Sequence, residues 1–200
     1  MRQRRPRTTK YLPSGVTERT MPRAYRGGRL PKGASNPRSS VVRLVRYSKP
    51  LMSVADLETL NCFANTCRRA LEGLAGVANS RFQSFPHGNC GDSADLVGRL
   101  LAERLEVTGQ YVCGSRHRQM KPHQTHAWFE AGGYIFDLTH DQPPGSRLHG
   151  WVLPLNSPWH RAFRTQDRIE GFCPPERWPM YPSEGYAAMS AALDVSADPG

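Results

Sequence analysis

An α+β fold, with helices packed on an antiparallel sheet, is predicted by three features of the chain. Two segments carry apolar residues at spacings of three and four, which marks helices with one buried face. Leu57, Leu60, Phe63, Cys67, Leu71 and Leu74 form the first stripe, and Leu96, Val97, Leu100, Leu101 and Leu105 the second. Two short runs rich in aromatic and branched residues, Thr125 to Glu130 and Tyr134 to Leu138, flank a glycine pair and read as a hairpin. The third feature is a hydrophobic share of 38% in 200 residues, enough for one core if part of the chain stays outside it.

The part left outside is the start. Residues 1–49 hold 14 Lys and Arg and a single acid, Glu18; residues 50–200 hold the other 13 cations and 16 acids. The formal charge of +10 therefore splits into +13 and −3, and the basic pI describes a tail rather than a domain. Pro6, Pro13, Pro22, Pro31, Pro37 and Pro50 punctuate residues 1–50. Such a segment buries too little apolar surface to offset its ordering entropy, so a disordered basic tail is expected, with a short strand at Val41 to Val45. A solvated tail is one reading of it. A weak polyanion contact through residues 1–49 is the other.

The first helix is expected over 53–76, with Ser53 as N-cap and Asp56 three residues on. A loop ends at Pro86, Gly88 and Asn89, and the second helix follows over 90–106 with Asp92 in its first turn. Gln110 to Gly114 reads as a strand. Trp151 to Leu155 reads as another, which Pro154 confines to an edge or a strand end. Ser183 to Leu193 reads as a short C-terminal helix. The expected organisation is a basic tail at 1–50, a domain at 51–160 and a Pro-rich extension at 161–200.

No apolar run is long enough to span a bilayer, and the Arg-rich start lacks the apolar segment of a signal peptide. Five cysteines, an odd number without a CxxC, argue against a disulfide framework. A reducing, cytoplasmic setting is expected, with export as an effector left open.

Cys90 opens the second helix, where the helix N-terminus favours a thiolate. Gly88 and Gly91 leave the backbone uncrowded beside it, so a substrate carbonyl has room and the Cys90 N–H faces a developing oxyanion. Gln83 is the candidate second donor. Side chains alternate along a strand, so the hairpin allows a parity test. An Ala131-Gly132 turn puts His126 opposite Asp137, and a Gly132-Gly133 turn makes them diagonal neighbours; both registers leave them on one face. Trp128 shares that face and would shield the pair from water. A thiol, a base and an orienting acid are the parts of nucleophilic acyl chemistry.

His126-Ala127-Trp128-Phe129-Glu130, an apolar strand, Asp137, and Cys90 at a helix start together resemble the core of the transglutaminase-like superfamily, itself built like the papain-type cysteine peptidases. The resemblance covers about residues 85–142. It implies a papain-like core in which Cys90 is the nucleophile, His126 the base and Asp137 the orienting acid. It also implies a protein or peptide substrate and no metal or organic cofactor. Gly91 departs from the pattern, since transglutaminases proper tend to carry an aromatic there, and no calcium-loop pattern of clustered acids appears. Hydrolysis or deamidation thus stands beside cross-linking.

Rival arrangements remain. His140 and Asp141 could replace the pair, although they lie outside the motif. Cys113, His117, His123 and His126 could be read as zinc ligands, but their spacing matches no common structural site. His87 could contact substrate, and Gln142 could donate into the site. The reading from a different class is a non-enzymatic binding protein that uses its basic arm on nucleic acid or an acidic partner.

Overall fold

The computed structural model describes residues 54–143, 146–178 and 180–197. The basic segment 1–50, the strand expected at Val41 to Val45 and the Ser53 cap lie outside the described residues. The rest is a mixed helix and antiparallel-sheet fold.

Helix α1 (Val54–Glu72) and helix α2 (Cys90–Leu105) form where the apolar stripes predict them. Leu60, Phe63, Cys67, Leu71, Leu96, Val97, Leu100 and Leu101 are all buried in one core cluster. Strands β1 (Gly109–Ser115), β2 (Thr125–Ala131), β3 (Tyr134–Phe136), β4 (Val152–Pro154) and β5 (Thr165–Glu170) form a sheet in the order β4-β3-β2-β1-β5. Neighbouring strands in it are antiparallel. The β2–β3 turn is Gly132-Gly133: Ala131 pairs with Tyr134 and Phe129 with Phe136. Both glycines have positive φ, 59° and 90°, as a tight hairpin turn of the favoured twist requires. Pro154 lies on the edge strand β4, where its missing N–H costs least.

The two faces of the sheet are covered differently. On one face Tyr111, Cys113, Ala127, Phe129 and Ala131 pack with α1, α2 and helix α4 (Ser183–Ala197). Packing there is close: a Cβ on Gly98 of α2 would lie 2.3 Å from the Phe129 ring. On the other face Val112, Trp128, Ile135, Leu153 and Phe163 form a second cluster, covered by Met120, Leu148 and Trp159 from loops and from the single-turn helix α3 (Pro158–Arg161).

The boundary expected at residue 160 is not a structural one. Strand β5 joins the central sheet beside β1, pairing Tyr111 with Ile169 and Ser115 with Thr165. Gly185 of α4 lies so close to Phe82 and Leu96 that a Cβ would meet the Phe82 ring at 2.4 Å. Residues 161–178 and 180–197 are therefore part of the same body. Their role was hidden because Thr-Gln-Asp-Arg-Ile-Glu in β5 has no buried residue and so no apolar alternation to read.

One carboxylate ties α2 to the segment after β5. Asp95 Oδ1 accepts the Cys173 backbone N–H at 2.8 Å. Burial raises its pKa to about 7, against the Cys173 bond, with Asp92 adding to the rise. A raised acid contributes stability that is present below its unfolded value and lost as pH climbs through the folded one. Asp95→Asn keeps the acceptor and removes the charge. Urea unfolding should therefore show it more stable than wild type by about 2 kcal/mol near pH ~8, with the gain nearly gone near pH ~4. An equal gain at both pH values would contradict this account.

Candidate active site

Cys90 is the first residue of α2. Asn89 at the N-cap makes no side-chain capping bond, so the first-turn N–H groups are not taken up by it. Its own Nδ2 donates to Arg81 O at 3.1 Å instead. Arg81 also clamps Asp92 through Nε and Nη2. These two bonds fix the approach of the 77–89 loop to the helix start.

The parity test puts His126 and Asp137 on one face of the hairpin, and the thiol's helix does not lie on that face. Helix α2 packs on the Ala127 and Phe129 face, whereas His126 and Trp128 point to the opposite face. The thiol nevertheless meets the imidazole. Pairing of β3 with β2 ends at Phe129, so the β2 edge at His126 and Ala127 is uncovered on that side. The Cys90 thiol sits at this edge, bonded to the His126 ring and to the Ala127 backbone.

His126 Nε2 lies 2.7 Å from Asp137 Oδ2. Asp137 Oδ1 accepts from the Thr139 backbone N–H at 3.0 Å and from its hydroxyl at 3.2 Å. His126 is 2% exposed and Asp137 1%, so the pair is removed from water. The cause of each shift follows. Burial raises the Cys90 pKa, but the hydrogen bond and charge of His126 and the Ala127 backbone bond outweigh it, and the net shift is downward. Burial lowers the His126 pKa, but Asp137 and then Cys90 raise it to about 10. Burial works against ionisation of Asp137, and the two histidines that contact it hold its carboxyl far below the usual range. All three shifts favour the charged forms: Cys90 and Asp137 are lowered and His126 is raised.

The second of those histidines was not anticipated. His160 of α3 places Nε2 3.1 Å from Asp137 Oδ2, and its Nδ1 lies 2.9 Å from Ser157 Oγ. With Nε2–H donating to the carboxylate, Nδ1 accepts the serine proton, which fixes the tautomer. The one sequence signal was a histidine directly after Ser-Pro-Trp, a helix-start pattern too short to show periodicity. Removing this donor leaves a buried carboxylate oxygen with one partner fewer. His160→Phe should cost about 2 kcal/mol in a denaturant melt, and His160→Gln, which can still donate, should recover part of it. Equal losses in both variants would assign His160 to packing alone.

Trp128 has no exposed surface and donates its indole N–H to Glu130 at 3.0 Å. Its ring stacks 6.2 Å from His126 and meets His160 edge-on at 4.9 Å. It walls the acid–base pair and is not available to bind substrate. Gln83 is exposed, its backbone bonds Gly76 and Ser80 in a turn, and it is not among the groups that act on the thiol. Gln142 comes closer: its Oε1 accepts the Gly88 N–H at 2.9 Å, two residues before Cys90. His87 is exposed.

The rival arrangements separate in space. His140 Nε2 contacts Gly150 O at 2.8 Å, and Asp141 is bonded by Arg68. Cys113 and His126 face opposite sides of the sheet, while His117 packs against Trp159 and Phe163. At Gly91 a Cβ would lie 3.3 Å from the Tyr111 hydroxyl, so a side chain there would require that hydroxyl to give way by a few tenths of an ångström. No protein-family model, curated protein or solved structure matches the chain.

Proposed function

We propose that the protein is a cysteine-dependent hydrolase or acyl transferase that acts on an amide bond of a protein or peptide. The observation that carries this reading is the unbroken chain from the Cys90 thiol through the His126 ring to Asp137. Burial alone would raise the pKa of the half-buried Cys90 thiol, yet the net shift is downward. Cys67, buried in the core without such a partner, is raised instead.

In the proposed reaction the Cys90 sulfur, its proton held by His126, attacks the amide carbonyl. The C–S bond forms as the carbonyl π electrons move to oxygen, and the Cys90 N–H supports that oxyanion. Collapse expels the amine, which takes the proton from His126. Water or a second amine then attacks the acyl-enzyme, giving its proton to His126 and returning the thiolate. Asp137 keeps the imidazolium oriented throughout. A papain-like or transglutaminase-like core belongs to the same proposal. It is supported by a nucleophile at a helix start, a base and an acid from an antiparallel sheet, and the His-Ala-Trp-Phe-Glu run.

The test is to incubate a panel of proteins and peptides with wild type and with Cys90→Ala, and to profile the products by intact mass and peptide mapping. Glutamine converted to glutamate means deamidation, a new terminus means proteolysis, and a new conjugate means transfer. Identical maps with both enzymes across the panel would count against the reading.

A further inference from the structure

The charges of the folded part are segregated in a way that bears on its substrate. Residues 107–129 and 142–166 contain six of the thirteen Lys and Arg residues found after residue 49, and none of the sixteen acids. They are Arg116, Arg118, Lys121, Arg147, Arg161 and Arg164, and all six are exposed. Among the described residues none of the six has an ion-pair partner. Of the seven cations elsewhere in the fold, Arg68, Arg81, Arg99, Arg104 and Arg168 are paired, and Arg69 and Arg177 have no ion pair among the described residues.

The fold gathers these cations on one side. Ser115 pairs with both Thr125 and Thr165, so Arg116 and Arg164 follow and precede the same rung of the sheet, at the end where β2 begins. His117 packs on Trp159 and Phe163, and Gln119 accepts the Trp159 indole N–H at 2.9 Å, which lays the Arg118 loop over α3 and Arg161. Leu148 and Met120 cover the Trp128 face, bringing Arg147 and Lys121 to the same layer. This layer is the loop cover of the sheet, opposite the helices. Cys90 lies at the junction, with its helix on one side and His126 on the cationic side.

We propose that this rim binds an acidic segment of the polypeptide substrate, next to the amide that Cys90 attacks. The proposal rests on the enzymatic reading for the class of substrate, since an amide-directed thiol calls for a peptide chain. Unpaired guanidinium groups around a cleft raise the local concentration of anions and steer their approach. A single-stranded nucleic acid fits less well. Its binding uses exposed aromatic platforms, and the large exposed hydrophobics among the described residues are Val77, Leu155, Met180 and Val195.

The test uses the full chain carrying Cys90→Ala, so that binding is read without turnover. The probes are a fluorescein-labelled Glu-rich peptide with one central glutamine, a neutral Ser-rich peptide of the same length, and an oligothymidylate. Anisotropy should show the acidic peptide bound and the neutral one not. Arg116→Gln, Arg118→Gln and Arg164→Gln together should weaken the acidic peptide about tenfold at low salt, with the melting temperature unchanged. If that variant is destabilised, Lys121→Gln with Arg161→Gln reads the same rim. Unchanged affinity in a folded variant would overturn the proposal and assign binding to residues 1–49. Loss of the oligothymidylate without loss of the peptide would overturn it in favour of a nucleic-acid surface. Failure of the enzymatic reading would appear elsewhere, as an unreactive Cys90 in wild type with peptide binding intact.

Discussion

Near pH ~6, iodoacetamide should modify Cys90 about a hundredfold faster than Cys62, the exposed cysteine that serves as an internal standard. An ordinary thiol is almost wholly protonated at that pH, whereas the hydrogen bond and charge of His126 pull the Cys90 pKa down against its burial. His126→Ala removes both effects and leaves burial in charge, so the rate should fall at least a hundredfold. Raising the pH to about 9 should narrow the gap, because ordinary exposed thiols react faster there. Cys113 should stay slow, since burial and the neighbouring Cys90 push its thiol up to about 11. Equal labelling of the five cysteines would falsify the nucleophile assignment. The same pair has a pH window of stability. His126 is raised, so its contribution is complete below about pH 6.5 and lost as pH rises through about 10. Asp137 is lowered, so its contribution is complete above about pH 3.9 and lost as pH falls through its folded value.

The largest loss of stability away from the thiol is expected at Arg68. It is 6% exposed, yet it carries a guanidinium from α1 into contact with the segment just after Asp137. Nη1 donates to Leu138 O, and Nη1 and Nη2 reach Asp141 at 3.0 and 2.8 Å. Nε donates to Glu72 at 2.7 Å, one turn along the same helix. The guanidinium also stacks between Phe85 and Trp151, 4.6 and 4.3 Å from their centroids. Arg68→Met leaves a buried carbonyl and a carboxylate without their donor, at a cost of about 3 kcal/mol in urea unfolding. Arg68→Lys should restore only part of it, because an ammonium provides neither the fork nor the flat stacking surface. A loss under about 1 kcal/mol would mean that the cluster behaves as an ordinary surface pair.

How much of this could be read beforehand depends on the element. Helices α1 and α2 were legible because their apolar residues recur with helical period and end up buried. The hairpin register was legible down to two choices, and two positive-φ glycines select Gly132-Gly133. Strand β5 was not legible, because an exposed edge strand needs no apolar face. At the site, Cys90, His126 and Asp137 do come together. The parity argument correctly put His126 and Asp137 on one side, but it could not foresee that the helix would cover the other. That depended on where β3 stops pairing, a matter of three residues. His160 depended on a one-turn helix whose position is set by tertiary packing on Trp128 and Phe163. Gln83 rests on nearness along the chain alone; in the structure its side chain is exposed and its backbone closes a turn.

Helices α1 and α4, from opposite ends of the described chain, pack on one another, and the residues of the site all come from the stretch between them. A force that stretches the protein by its ends therefore loads this helical clasp before the sheet. Arg68 is the rivet through which that load passes inward, because its grip on Leu138 and Asp141 is the nearest mechanical link to Asp137. Under tension Asp137 would be displaced before Cys90, so the fold would stop orienting His126 while the thiol still sat at the head of its helix.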